Sequence, residues 1–244
     1  MISTLTNNAK TKKDIKMANT NLKLIETYYD KAKTKIQERY YVDKDGLKQG
    51  LYESFYENGQ PHIKFTCKDG VYDGLFELFY KDGQVKERCT HKDDKLDGLY
   101  ESFYKNGKPH IKCTYKNGKR DGLYESFYEN GQPNIKCTYK NGIYDSLFQK
   151  FYKNSKPQIK CTFKYGVYDG LLEQFYKNGK LKKKCTYKIG VYNGLFEWFY
   201  ANNQLKEKCF YKNNKLNGLY EHFDENGKLL IKCTYKNGIE IMQE

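Results

Sequence analysis

The side chains with the greatest chemical potential in this sequence are carboxylates that recur at one position every 24 residues. Paired carboxylates can serve as general acid and base, so such a row is a candidate for catalysis. A hairpin fold, however, would place each of them opposite a basic residue, as Glu101 opposite Lys112, and such pairs contribute about 0.2–1 kcal/mol. The row therefore favours structural ion pairs. Its members are Glu53, Glu77, Glu101, Glu125, Glu173, Glu197 and Glu221, with Gln149 in the fifth unit.

Two basic positions recur with the same period. The first lies opposite the glutamates and contains Lys64, Arg88, Lys112, Lys136, Lys160, Lys184, Lys208 and Lys232. The second, four residues later, is the lysine row: Lys68, Lys92, Lys116, Lys140, Lys164, Lys188, Lys212 and Lys236. The glutamates would neutralise the first position and leave the lysine row unpaired. We interpret this row as a solvated face that keeps an open sheet soluble. The alternative is a strip for anionic membrane lipids, where each lysine adds about 1 kcal/mol.

Cysteine and histidine do not form a recognisable catalytic or metal-binding pattern. Seven of the eight cysteines recur 24 residues apart, at Cys89, Cys113, Cys137, Cys161, Cys185, Cys209 and Cys233. On alternate strands of a sheet, neighbours in this row would lie about 9–10 Å apart, beyond the roughly 7 Å that a disulfide allows. Reduced thiols predict a cytoplasmic protein. With no CxxC pair and no known catalytic motif, we predict a non-enzymatic protein with no catalytic residue, metal site, cofactor or small-molecule substrate.

These rows require a regular scaffold, and the sequence supplies one in a 24-residue unit. The units beginning at Gly98 and Gly122 agree at 19 of 24 positions, and eight units run in phase over residues 50–241. Each unit contains two turn signals, such as Asn106-Gly107 and Asn117-Gly118, between strand-like runs; both predict type I′ turns. Where glycine is missing from the turns, Asp94, Ser155, Asn203 and Asn214 stand in its place. The predicted fold is all-β, an elongated single-layer antiparallel β-meander of eight hairpin repeats, with an N-terminal α-helix.

Hairpin register assigns the residues of a unit to two faces. Pairing across Asn106-Gly107 places Leu99 opposite Thr114, and Tyr100 opposite Cys113. One face is then aromatic, and we predict that it binds a protein partner or a second copy of the chain. Its candidate residues are Tyr52, Tyr56, Tyr100, Tyr104, Tyr124, Tyr128, Tyr152, Tyr176, Trp198 and Tyr200. Nucleic acid is disfavoured because aromatic and basic side chains fall on opposite faces, whereas a nucleic-acid groove needs them together.

The segments outside the repeats have their own patterns. Residues 1–20 predict a flexible basic tail, and residues 38–49 predict a half repeat that adds a strand. Between them, apolar residues at steps of three or four predict an amphipathic helix over residues 21–37 that caps the sheet or, alternatively, lies on a membrane. Residues 242–244 form the C-terminal end. No run of 18 apolar residues and no secretory signal occurs.

The unit pattern Gly-Leu-aromatic-Glu-x-Phe-Tyr-x-x-Gly, followed by a basic-aromatic strand and Lys-Asn-Gly, resembles the MORN repeat. It is similar to the variant found in arrays labelled YwqK-family antitoxins, and the resemblance covers residues 50–241. It implies an elongated β-meander that acts in binding or scaffolding, and the antitoxin label implies a toxin partner. With a formal net charge of +14, the chain suits acidic partners. We therefore predict a scaffold for protein–protein interaction; the alternative is peripheral binding to anionic membranes.

Overall fold

A computed structural model describes residues 22–241, which form one antiparallel sheet of 19 strands. Every strand pairs with its neighbours in the sequence, so the predicted β-meander is confirmed. The strands are β1 (Lys23–Tyr28), β2 (Ile36–Val42), β3 (Lys48–Phe55), β4 (Pro61–Lys68), β5 (Val71–Phe79), β6 (Val85–Lys92), β7 (Lys95–Phe103), β8 (Pro109–Lys116), β9 (Lys119–Phe127), β10 (Pro133–Lys140), β11 (Ile143–Phe151), β12 (Pro157–Lys164), β13 (Val167–Phe175), β14 (Leu181–Lys188), β15 (Val191–Phe199), β16 (Leu205–Lys212), β17 (Lys215–Phe223), β18 (Leu229–Lys236) and β19 (Ile239–Ile241).

The predicted helix over residues 21–37 is wrong in its described part, because β1 pairs there with β2. The carboxylate of Asp30 closes the turn between them by accepting hydrogen bonds from the backbone N of Thr34 (2.9 Å) and Lys35 (3.1 Å). Apolar residues at steps of three and four also fit two short strands separated by a turn, and the open sheet edge supplies their backbone partners. Residues 1–21 and 242–244, with the predicted tail and C-terminal end, lie outside the described residues.

The two turns of a unit differ, although both contain Asn-Gly. Asn117 and Gly118 have φ of 49° and 78°, as the predicted type I′ turn requires. At the other turn only Gly107 has positive φ, and the backbone N of Tyr104 donates to the carbonyl of Lys108, which makes a three-residue loop. The prediction of a type I′ turn is wrong there. Asn106 stabilises this loop through its side chain, which accepts a hydrogen bond from the backbone N of Lys108 at 3.0 Å.

A bulge restores the register that this longer loop would have shifted. Phe103 pairs with Pro109 but Ser102 pairs with Ile111, so His110 is the extra residue. The predicted pairings of Leu99 with Thr114, Tyr100 with Cys113 and Glu101 with Lys112 are therefore confirmed. The four turn residues that replace glycine all have positive φ, as expected: Asp94, Ser155, Asn203 and Asn214.

In four units the opening glycine is explained by a close contact with a threonine of the preceding strand. Gly122 has φ of 104°, and a Cβ there would lie 2.5 Å from Oγ1 of Thr114. The Thr114 hydroxyl donates to the carbonyl oxygen of Asp121. In the fifth unit Ser146 occupies the glycine position, with φ of 67°.

The core lies on one face of the single sheet, where the cysteine row is covered by large side chains. Cys89, Cys185 and Cys209 are at most 1% exposed. Towards the C-terminus, seven rings from successive strands form a continuous stack with centroids 4.5–5.3 Å apart and interplanar angles of 31–34°. This ring stack contains Tyr139, Tyr144, Phe163, Tyr168, Tyr187, Tyr192 and Tyr211. Aromatic contact along the sheet thus replaces a second layer.

Candidate interaction surfaces

The glutamate row lies opposite the first basic position, as predicted. Five of these pairs have N–O distances of 2.9–3.5 Å: Glu53–Lys64, Glu77–Arg88, Glu101–Lys112, Glu125–Lys136 and Glu221–Lys232. In each pair the basic side chain is at least one-third exposed. Partial exposure screens the attraction, so each pair adds at most about 1 kcal/mol. These carboxylates are held by cations and stabilise the sheet.

The lysine row follows one long edge of the sheet, beside the type I′ turns. All eight of its side chains are exposed. Within residues 22–241 none of them takes part in an ion pair, in contrast to the first basic position. Three of them, Lys92, Lys116 and Lys212, even pair in register with another lysine across the turn. The edge therefore presents a row of exposed lysines without ion pairs, although aspartates such as Asp97 and Asp121 also lie at these turns.

The most exposed apolar row lies on the face of the ion pairs and was missed by sequence reasoning. It is called the leucine row and contains Leu51, Leu75, Leu99, Leu123, Leu147 and Leu171, with exposed fractions of 43–50%. Strand alternation places Leu99 on the same side as Glu101. The signal was present as a leucine after every opening glycine, but the charged neighbours made the face look merely solvated. Leucines and charge pairs thus alternate along this face.

Most of the predicted aromatic residues contribute to internal contacts. The hydroxyls of Tyr56, Tyr104, Tyr128, Tyr152, Tyr176 and Tyr200 each donate to the backbone carbonyl of the phenylalanine 23 residues later, at 2.7–3.0 Å. Each of these hydrogen bonds joins one repeat to the next. The hydroxyls are therefore already used between repeats, while the role of these residues in partner binding stays a prediction.

The other predicted aromatic residues pack closer to the cysteine row. Tyr52 is 9% exposed and stacks on Phe65 at 4.3 Å, and burial raises its pKa to about 12. The ring of Tyr100 makes an edge contact with Tyr115, and that of Tyr124 makes one with Tyr139; the ring centroids are 5.8 and 5.7 Å apart. Trp198 lies under the ammonium of Lys206 at 4.6 Å. This face is better packed than the face with the leucine row.

Arg120 is a partly buried cation that the sequence analysis also did not identify. It stands at the N-terminal end of the ring stack, where its Nε lies 3.3 Å from the hydroxyl of Tyr115 and its Nη1 lies 3.4 Å from that of Tyr139. Its guanidinium also lies 4.7 Å from the ring centroid of Tyr124. The equivalent position in the ring stack is tyrosine, so Arg120 takes the place of a ring by stacking and hydrogen bonding.

Three of the buried thiols are unsuited to nucleophilic chemistry near neutral pH. All eight cysteines are free, in agreement with the predicted absence of disulfides. Burial raises the pKa of Cys89, Cys161 and Cys209 to about 12, so they remain protonated. Residues 22–241 contain no group of three His, Cys, Asp or Glu side chains that could hold a metal ion, and no helix that could cross a membrane.

The repeat hairpins match a known family. A model described as MORN repeat variant matches residues 48–69, 72–93, 96–117, 120–141, 168–188, 192–213 and 216–237. The chain belongs to this MORN repeat family. Each MORN match begins in the first strand of a hairpin and ends at or beside the type I′ turn that follows the second strand, so one match corresponds to one structural repeat. MORN repeats generally form scaffolds for interaction with proteins or membranes. A comparison with curated proteins found no match.

Proposed function

We propose that the chain is a non-enzymatic MORN scaffold that binds an elongated protein partner, or a second copy of itself, along its sheet. The observation that carries this proposal is the leucine row, six side chains in phase, each nearly half exposed. A regular row of half-exposed leucines on a sheet without a covering layer in residues 22–241 is typical of an interface. We therefore favour the leucine face over the aromatic face that the sequence predicted.

The spacing of the row supports an extended partner. Equivalent residues of successive hairpins lie about 9–10 Å apart. Four of the six leucines are bordered by an ion pair such as Glu101–Lys112, which offers both a carboxylate and a basic group to polar groups of the partner. Repetition of one weak site gives affinity through simultaneous contacts, and a partner that spans several repeats gains most. A toxin, as in the arrays that the sequence resembles, is one form of such a partner.

The test combines light scattering of the purified chain with capture of partners in the native host. The captured partner is then purified and titrated calorimetrically against a variant with Leu75→Thr, Leu99→Thr and Leu123→Thr. Threonine preserves strand propensity, so circular dichroism should be unchanged. We expect at least a tenfold loss of affinity. A triple exchange of lysine for glutamine in the lysine row, at Lys92, Lys116 and Lys140, is the matched control.

Two results would contradict the proposal. One is a strictly monomeric chain that captures no protein. The other is a partner that binds the leucine variant and the unaltered chain equally well while the sheet remains folded.

A second candidate function is peripheral binding to an anionic membrane. The exposed lysine row favours it, because each lysine near such a surface adds about 1 kcal/mol. Co-sedimentation with phosphatidylserine-containing vesicles at low and high salt tests this function. We expect binding that weakens as salt is raised. Lack of binding to these vesicles at low salt would end this candidate.

A further inference from the structure

One turn position carries two residues that the local backbone does not favour. At the first residue of the type I′ turns, all eight units have φ of 49–54°. Six of them have Asn or Asp there, which tolerate this left-handed conformation best. The two exceptions lie in neighbouring units: Tyr165, with φ of 52°, and Ile189, with φ of 50°. Isoleucine is β-branched and is among the residues least suited to positive φ.

In residues 22–241 these two side chains gain little packing in return for the unfavourable backbone conformation. The side chains of Tyr165 and Ile189 are 78% and 73% exposed, so they contribute little to the packing of the sheet. The turn at Ile189 does not use the isoleucine side chain, because the backbone N of Ile189 donates to Oδ1 of Asp169 at 3.2 Å. The equivalent hydrogen bond in an ordinary unit is made by the backbone N of Asn117. Residues that are unfavourable for the local backbone conformation and add little packing indicate a functional position.

The surface around these two turns is apolar at the centre and basic at the sides. A hollow of about 480 Å³ between Tyr165 and Ile189 is lined by Val167, Lys164 and Lys188. A second hollow of about 280 Å³ on the other side of Tyr165 includes Ile143 and Lys140. Val167 and Ile143 are 40% and 48% exposed. Asp145 and Asp169 are the acidic residues that line these hollows, and Asp169 already accepts the hydrogen bond from Ile189.

We propose that Tyr165 and Ile189 are the points at which this chain inserts into an anionic lipid bilayer. The inference rests on the second candidate function above and assigns it a place in the sheet. Tyrosine and isoleucine enter the headgroup region, where an aromatic ring with a polar end is favoured. Lys140, Lys164 and Lys188 contact anionic headgroups beside them. The surface defined by these five residues is called the tip patch.

The geometry of the sheet favours a bilayer over a protein at the tip patch. A stable protein interface uses about 20–30 residues on each side, far more than two protruding turns and the hollows between them. A twisted sheet turns by about 20–25° per strand, or about 40–50° per hairpin. Only two or three neighbouring hairpins can therefore face one plane. The two apolar tips are neighbours, as simultaneous contact with a flat membrane requires.

The experiment measures partition of the full chain into vesicles of phosphatidylcholine with 30% phosphatidylserine, and into pure phosphatidylcholine. The variant carries Tyr165→Asn and Ile189→Asn, the residue type that four other units have at this position. We expect the variant to fold at least as well, and to bind the anionic vesicles about tenfold more weakly at equal net charge. The matched control carries Leu99→Thr and Leu123→Thr, which remove apolar surface from the sheet face and should leave vesicle binding unchanged.

A spectroscopic readout locates the contact directly. Tyr165→Trp in a Trp198→Phe background should show a blue-shifted emission, and quenching by brominated lipid, only when anionic vesicles are present. Equal binding by the Asn variant and the unaltered chain would overturn the inference while leaving lysine-driven membrane binding intact. The inference would also be overturned if the Asn variant lost binding to a protein partner while its binding to anionic vesicles was unchanged. If the unaltered chain fails to bind anionic vesicles at low salt, both the inference and the second candidate function fail.

Discussion

Replacement of Gly122 by alanine tests how the repeat geometry is maintained. At φ of 104° an alanine would be strained by about 1–3 kcal/mol. Its Cβ would meet Oγ1 of Thr114 at 2.5 Å, so the threonine must rotate and lose its hydrogen bond to Asp121, which costs about 1 kcal/mol. The stiffer unfolded chain offsets about 0.4–1 kcal/mol. We expect Gly122→Ala to lower the free energy of unfolding by about 1–3.5 kcal/mol.

A double-mutant cycle separates the two causes of this loss. In a Thr114→Ala background the clash and the hydrogen bond are already absent, so Gly122→Ala should cost about 1 kcal/mol less. The fifth unit supplies a change of opposite sign. Ser146 has φ of 67°, and Ser146→Gly should stabilise the chain by up to about 1 kcal/mol, because relief of strain outweighs the greater entropy of the unfolded glycine.

Urea unfolding followed by circular dichroism measures these changes. Hydrogen exchange adds local information, since a repeat array can open near the altered unit before the rest unfolds. Faster exchange should be confined to β8, β9 and their neighbours. A loss below about 0.5 kcal/mol, or an equal loss with and without Thr114, would refute the reasoning.

Three further predictions concern the hydroxyls, thiols and ion pairs. Tyr128→Phe should lower the free energy of unfolding by about 1 kcal/mol, because it removes the hydrogen bond to Phe151 between repeats; Tyr165→Phe, on an exposed tip, is the control for urea titration. Burial raises the pKa of Cys161 to about 12, whereas in the unfolded chain this thiol ionises above about pH 8.5. Its contribution to the free energy of unfolding should therefore be complete below about pH 8.5 and be lost as the pH rises towards 12. Urea titrations from pH 8 to 11 measure this change. Glu101→Gln should cost less than about 1 kcal/mol, and the loss should shrink in high salt.

Each of these has a clear contrary outcome. Equal stability of the Tyr128→Phe variant and the unaltered chain would mean that the inter-repeat hydrogen bonds are replaced by water without loss. A free energy of unfolding that is constant up to pH 11 would contradict the burial of the thiols. A salt-independent effect of Glu101→Gln would show that the pair acts by packing instead of charge.

Much of the fold was predictable because a strict period multiplies each local signal. Two turn signals per unit specify antiparallel hairpins, and the pairing of Glu101 with Lys112 follows from the position of Asn106-Gly107. The same reasoning mistook β1 for part of a helix, because this segment occurs once and its apolar spacing fits either structure. It also predicted the wrong turn at Gly107, where a longer loop and the bulge at His110 compensate each other in register.

The surfaces were less predictable, because exposure depends on how neighbouring strands cover each side chain. The sequence by itself determined the hairpin unit, its period, its ion pairs and the free cysteines, all of which depend on contacts within one unit or on fixed strand spacing. Only the tertiary structure decided which apolar row is covered: the tyrosine hydroxyls bond to the following repeat, while the leucine row and the tips at Tyr165 and Ile189 remain open. These differences arise between repeats, from the packing of one hairpin on the next, and the residue pattern of a single unit does not contain them.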